Sequence, residues 1–170
     1  MRPDAYIHQL RYKHVKYKAK AFTAAKLKAA NRSGYPEPFR SRVLPRYKRA
    51  LGDAAGLKTI GINHTTLMPG KLSSMRHWHT HEDELIYVLE GEVVLITDQG
   101  EKRMRAGHCV GFPARLRNGH HFANRGTKPA VYLEISNRDH KDSAHYSDVD
   151  LRWNAPGSRG RYSHKDGRRY

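Results

Sequence analysis

Short apolar segments recur between residues 57 and 136, and each is followed by turn residues such as Pro69-Gly70 or Asn118-Gly119. Eight of these segments can be separated, at 57–68, 75–79, 84–89, 92–97, 101–105, 109–112, 120–124 and 130–136. Nothing with helical periodicity lies between them, so no parallel β–α–β unit is predicted. Short strands at this spacing are typical of an all-β sandwich or barrel.

Positive charge is concentrated at the two ends of the 170-residue chain, whose formal net charge is +16. Residues 1–50 hold 14 Lys/Arg and 2 Asp/Glu, residues 51–150 hold 12 and 13, and residues 151–170 hold 6 and 1. We therefore expect a near-neutral barrel over 51–150. A basic extension over 1–50 would wrap or precede it, and a basic tail would follow over 151–170. Binding of nucleic acid or another polyanion through these ends is a secondary hypothesis.

The terminal regions lack a core-forming pattern. Residues 11–20 alternate basic and apolar side chains, which indicates an exposed strand or a disordered arm. Residues 22–30 are rich in Ala and Lys and predict a short helix. After Arg138 the chain becomes polar, and from Asn154 onward it predicts no packed structure.

The composition predicts a soluble protein of the cytoplasm. Cys109 is the only cysteine, so no disulfide can form within the chain. Because it lies in an apolar segment, we interpret Cys109 as a small core residue. No apolar run is long enough to cross a bilayer, and the N-terminus has no signal-peptide core.

The segment His77-Trp-His79-Thr-His81-Glu-Asp-Glu84 has the spacing of a metal site. Side chains two apart on a strand share a face, so His77 and His79 would point into the same cavity. Glu84, on the next strand, can return to that cavity. A second source of histidine is the adjacent pair His120 and His121, of which only one can face inward.

These residues resemble the two sequence motifs of the cupin superfamily. The first motif is matched by Gly70, His77, His79, Glu84 and Gly91, and the second by Gly107, Pro113, His120 and Asn124. The spacing to Asn124 favours His120 over His121. A pair formed by His79 and His81 would leave too few residues before Glu84, so His81 is interpreted as a turn residue. The chain departs from the second motif at Arg115, where glycine is usual, and in a longer run before His120.

The resemblance implies a double-stranded β-helix, also called a jelly-roll or cupin barrel. It implies one divalent metal ion (Fe, Mn, Zn or Ni) bound by His77, His79, Glu84 and His120. It also implies a small-molecule ligand in the barrel and a homodimer. Cupins of this kind include dioxygenases and sugar isomerases or epimerases. A non-catalytic, ligand-binding regulatory protein is the alternative.

Several neighbouring residues have simpler interpretations. Trp78 should point away from the cavity and pack outside, against the N-terminal segment. Glu82 and Asp83 could supply a second acid, but solvated turn residues are the favoured interpretation. Arg115 and Arg117 could bind an acidic substrate, but a basic surface loop is the favoured interpretation.

Overall fold

The computed structural model describes residues 21–154 and 162–170. The alternating segment 11–20 and residues 155–161 of the basic tail lie outside the described residues. The described chain forms mainly strands: β1 (Arg46–Ala50), β2 (Ile60–Leu67), β3 (His77–His79), β4 (Glu84–Glu90), β5 (Glu92–Thr97), β6 (Gly100–Arg105), β7 (Cys109–Phe112), β8 (His121–Ala123), β9 (Ala130–Asn137), β10 (Ser143–Tyr146), β11 (Arg152–Asn154) and β12 (Tyr162–Ser163). Two short helices, α1 (Phe39–Val43) and α2 (Leu51–Ala54), flank β1. Each of the eight predicted apolar segments coincides with or overlaps one strand, so this prediction is confirmed.

The strands form two facing layers of antiparallel sheet. One layer has the order β1-β2-β9-β4-β7. The other consists of a three-stranded sheet, β6-β5-β8, and a four-stranded sheet, β12-β11-β10-β3. A single β-bridge between His77 and His120 places β3 beside β8 and joins the two sheets into one layer. This is the predicted jelly-roll, since two antiparallel sheets enclose a common interior.

Inward-facing apolar side chains of the strands fill the space between the layers, and β4 and β7 alternate between inner and outer faces. In β4, Ile86 and Val88 are buried, whereas Leu85 and Tyr87 on the outer face are 42% and 39% exposed. The resulting barrel cluster consists of Leu67, Ile86, Val88, Val93, Leu95, Met104, Phe122, Ala130 and Tyr132. Alternation also corrects one prediction: Cys109, on the outer face of β7, is exposed rather than a core residue.

The segments on either side of the barrel form a second hydrophobic cluster, which we call the terminal cluster. It consists of Tyr35, Phe39, Val43, Met75, Ala144, Tyr146 and Leu151. Strand β1, within the predicted basic extension, pairs with β2 and adds a fifth strand to the sheet. Strand β10 lies within the predicted barrel region 51–150, in a polar stretch to which the sequence assigned no strand, and β11 and β12 lie in the predicted basic tail.

The predicted helix over residues 22–30 is wrong, because only one turn of 3₁₀ helix, Ala24–Lys26, forms there. None of its residues is buried, so no tertiary packing supports a longer helix, and short helices need such support. Among the described residues, no helix is long and apolar enough to cross a membrane.

Candidate metal centre

Strand β3 presents two histidines on one face because it pairs with β10. His79 lies opposite Ala144, and His77 lies opposite Tyr146. Trp78 lies on the other face of β3, where it stacks on His145 with ring centroids 4.4 Å apart. The outward direction of Trp78 agrees with the prediction. Its packing partner differs, because β10 covers it rather than the N-terminal segment.

The four predicted ligands converge. The Nε2 atoms of His77 and His79 are 3.1 Å apart. The Oε2 atom of Glu84 lies 3.9 Å from Nε2 of His77 and 3.6 Å from Nε2 of His79. Nε2 of His120 is 2.8 Å from the same oxygen, and His120 is only 4% exposed. Ligand atoms of His77, His79 and Glu84 therefore all lie within 4.8 Å of one another, and His120 adjoins this trio through its contact with Glu84.

Hydrogen bonds on the far side of two rings fix which nitrogen faces the other ligand atoms. Nδ1 of His77 lies 2.9 Å from the carbonyl oxygen of Met75, and Nδ1 of His79 lies 2.6 Å from Oδ2 of Asp142. These oxygens accept hydrogen bonds, so each Nδ1 is the donor and the two Nε2 atoms face each other. Two lone pairs at 3.1 Å repel unless a proton or a cation lies between them. The donor set fits a divalent cation, and imidazole with carboxylate suits Fe(II), Mn(II), Zn(II) or Ni(II).

The charges within the cluster favour an ionised carboxylate. Burial raises the pKa of Glu84, but the hydrogen bond from His120 and the charge of His79 outweigh it and hold the pKa well below its usual range. Burial and the charge of His79 lower the pKa of His77 to about 3. For His79, burial lowers the pKa, but the hydrogen bond to Asp142 and the charge of Glu84 raise it to about 9. A metal ion that binds here would meet a charged Glu84 and displace a proton from His79.

The two alternative histidines lie outside this cluster. His121 is on the opposite face of β8, and its Nδ1 lies 3.0 Å from the carbonyl oxygen of Ser74. His81 directs Nδ1 to the hydroxyl of Thr80, 2.9 Å away. Both arrangements agree with the preference for His120 and with the interpretation of His81 as a turn residue.

Arg115, which stands where the second motif usually has glycine, adopts a backbone conformation that is typical of glycine. Arg115 has φ 67°, a left-handed conformation that glycine adopts without strain. Its backbone nitrogen donates to the carbonyl oxygen of His79 at 2.8 Å. The loop therefore keeps a backbone shape suited to glycine. Arg115 and Arg117 are exposed, and Arg117 lies over the ring of Trp78, 5.8 Å from its centroid.

Two cavities meet at the cluster. The larger, about 620 Å³, lies between the sheets and has a mostly polar lining. The smaller, about 500 Å³, opens near β7 and is mostly apolar. His79, Glu82 and His120 line both cavities. A small molecule in the larger cavity would lie against the candidate metal site.

Sequence reasoning missed Asp142 and interpreted Glu82 as a solvated turn residue, although both lie at the site. Asp142 is fully buried and accepts hydrogen bonds from His79, from the hydroxyl of Thr80 and from the backbone nitrogen of His81. Glu82 is half-buried rather than solvated, and burial raises its pKa to about 7 although the charge of His79 opposes this. Asp142 is 63 residues from His79 in sequence. No local pattern indicates that β10 would bring it there.

Comparison with known proteins identifies the class. Residues 63–136 match the family model of the cupin domain. A cupin-superfamily sugar phosphate isomerase from Silicibacter pomeroyi DSS-3 is 37% identical, with a TM-score of 0.85 over 89% of this chain and 96% of that chain. A proposed sugar phosphate isomerase from Acidithiobacillus ferrooxidans is 31% identical, with a TM-score of 0.67 over 74% of this chain and 80% of that chain. This chain belongs to the cupin superfamily, which confirms the resemblance drawn from its two motifs.

More distant matches support the fold alone. The polyketide cyclase RemF from Streptomyces resistomycificus is 20% identical, with a TM-score of 0.60 over 72% of this chain and 81% of that chain. A search of curated protein sequences found no significant match.

Proposed function

We propose that this cupin binds one divalent metal ion through His77, His79, Glu84 and His120 and isomerises a small hydroxylated compound of the sugar type. The observation that carries the proposal is the convergence of these four side chains on the wall of a polar cavity of about 620 Å³. A divalent ion at this point would polarise a carbonyl group and stabilise the negative charge that develops during isomerisation.

The lining of the larger cavity suits a ligand with several hydroxyl groups. Its wall contains the polar side chains of Asn63, Ser73, Ser74 and Ser136. Such groups form hydrogen bonds with ligand hydroxyls, and a site built for them rejects analogues that lack those hydroxyls. The names of the two relatives above 30% identity support the choice of a sugar-type substrate.

Other residues of this chain would hold the site in shape. Asp142 accepts the hydrogen bond from Nδ1 of His79, which keeps Nε2 directed at the metal. The backbone carbonyl of Met75 does the same for His77. Because Glu84 remains ionised, it can serve as the charged ligand at neutral pH.

Metal content tests the site. Full-length protein purified without added metal should contain about one divalent ion per chain, measured by elemental analysis. Glu84→Gln should lose most of it, because a neutral amide is a weaker ligand than a carboxylate. His81→Ala is the matched control: it removes a histidine two residues from His79 but outside the cluster. Equal metal loss in both variants, or a metal-free wild type, would contradict the proposed site.

Turnover tests the reaction. Metal-loaded protein would be incubated in D₂O with aldoses, ketoses and their phosphates, and conversion followed by ¹H NMR. We expect interconversion of an aldose and a ketose with deuterium incorporation at the exchanging carbon, and loss of both in Glu84→Gln. Oxygen consumption without isomerisation would indicate a dioxygenase instead. Ligand-induced thermal stabilisation without turnover would indicate a regulatory protein.

Three expectations from the sequence stay predictions. They are the homodimer, the location in the cytoplasm, and binding of nucleic acid by the basic ends. Residues 1–20 and 155–161 of those ends lie outside the described residues. Sedimentation analysis of the full chain tests the first expectation, and salt-dependent retention on a polyanion column tests the third.

A further inference from the structure

Arg46 is a buried cation on the wall of the larger cavity. It is 9% exposed and lies on the inner face of β1, where Lys48 shares its face. Its backbone nitrogen donates to the side chain of Asn31 at 3.1 Å. Its side-chain Nε is buried, and no hydrogen-bond acceptor contacts it among the described residues. Among the described residues, the guanidinium charge of Arg46 therefore has no ion-pair partner, and its Nε–H group has no hydrogen-bond acceptor.

Glu134, an acidic residue of the same cavity wall, is already engaged. Glu134 accepts from Nζ of Lys48 at 2.8 Å through one oxygen and from the hydroxyl of Thr65 at 3.1 Å through the other. The ion pairs of the described residues include one between Lys48 and Glu134 and none that involves Arg46. Burying a guanidinium without a counter-charge is costly, so an anion from outside the chain would relieve a real energetic penalty.

Tyr132 provides a second unpaired donor on the same wall. It is 1% exposed, lines the cavity, and its hydroxyl has no partner among the described residues. Lys48, Thr65 and Tyr132 lie in one row across β1, β2 and β9. Arg46 lies two residues before Lys48 on the same face of β1, and Arg46 and Tyr132 both line the cavity. Two unpaired donors thus face the same part of the cavity.

We propose that Arg46 and Tyr132 bind an anionic group of the ligand, a phosphate ester or a carboxylate, so that the substrate is an anion. This deepens the proposed function, because the subsite lies in the cavity that contains the metal cluster. Arginine presents several N–H donors in a plane that matches the oxygens of such groups. Arg32, exposed at the rim of the same cavity, adds positive charge along the path of entry.

The binding test uses inorganic phosphate and the full-length protein as purified. Isothermal titration calorimetry should show saturable binding to the wild type. Arg46→Met, which keeps the apolar stem of the side chain, should weaken it at least about tenfold, and Tyr132→Phe about threefold. Arg103→Gln, which removes one charge from a side chain that is 74% exposed, is the control and should bind as the wild type does. Equal affinity in the wild type and Arg46→Met would overturn the proposal.

A stability measurement separates binding from folding. Tyr132→Phe removes only an unpaired buried hydroxyl, so without phosphate its melting temperature should equal or exceed that of the wild type. A lower melting temperature would show that the hydroxyl has a structural partner and would contradict its role here. Phosphate should raise the melting temperature of the wild type and raise that of Arg46→Met much less.

Two further arms identify the ligand chemistry and separate this proposal from the reaction. In the first arm, acetate at equal ionic strength replaces phosphate in the calorimetric titration. Tighter binding of acetate would indicate a carboxylate subsite, and tighter binding of phosphate a phosphate subsite. Binding of neither anion would overturn the subsite. His77→Ala should still bind phosphate, since Arg46 and Tyr132 lie on other strands; loss of binding would place the phosphate on the metal instead. If phosphate binds through Arg46 but no isomerisation occurs, the subsite stands and the proposed reaction fails.

Discussion

The barrel cluster and the terminal cluster are assembled in different ways. The barrel cluster draws on residues between Leu67 and Tyr132, in segments that the sequence marks as apolar. The terminal cluster joins the segment around α1, Met75, and residues between Ala144 and Leu151. Both clusters need long-range strand pairing, as the pair of Leu67 and Ala130 shows, but local patterns predict only the members of the first.

The difference bears on function, because the terminal cluster lies directly beside the two histidines of β3. Tyr146, a member of this cluster, pairs with His77, and Ala144 pairs with His79. The hydroxyl of Tyr35 accepts a hydrogen bond from the backbone nitrogen of Met75, whose carbonyl oxygen in turn accepts from His77. The barrel cluster thus provides a closed interior, and the terminal cluster holds two ligand histidines in position.

Leu67→Ala should have the largest effect on global stability. Leu67 is fully buried in the barrel cluster, so its truncation should cost about 2–5 kcal/mol of the free energy of unfolding. Leu67 pairs with Ala130, whereas Glu84 pairs with Ser136, about 20 Å further along β9. The folded variant should therefore bind metal as the wild type does. Urea denaturation and metal titration measure the two effects, and Leu85→Ala, on the outer face, is the control.

Leu151→Ala should distinguish the role of the terminal cluster from that of the barrel cluster. Leu151 is also fully buried, but it packs among segments that can partly close a cavity, so we expect a loss of about 2–3 kcal/mol, at the lower end of the range for such truncations. Loosening of β10 should also weaken metal binding by about tenfold. Hydrogen exchange should increase in β10 and α1 before it does in β4 and β9. If Leu67→Ala and Leu151→Ala impair metal binding equally, the functional distinction between the clusters is wrong.

The same distinction explains what could be predicted from the sequence. Alternation was enough to place His77 and His79 on one face and to predict the barrel strands, since both depend on period two. Asp142 and Arg46 were not assigned a role, because their surroundings are created by strand pairings that no local pattern reveals. Strands β10–β12 were missed because polar residues dominate their sequence. Cys109 was misplaced because an apolar segment does not tell which of its residues face inward.

Asp142→Asn should have the smallest effect of the three on global stability, and it tests the link between β10 and the metal directly. Asp142 lies next to β10 and accepts from Nδ1 of His79 at 2.6 Å. An amide oxygen can still accept that hydrogen bond, but without the negative charge that makes the imidazole a stronger ligand. Metal affinity, measured by competition with a chelator, should fall about 10- to 100-fold. Asp139→Asn, in the same turn but without contact to His79, should leave the affinity unchanged. If Asp139→Asn lowers the metal affinity as much as Asp142→Asn does, the loss comes from removing any nearby negative charge and not from the contact with His79. The terminal cluster would then influence the site only by holding β3 in place.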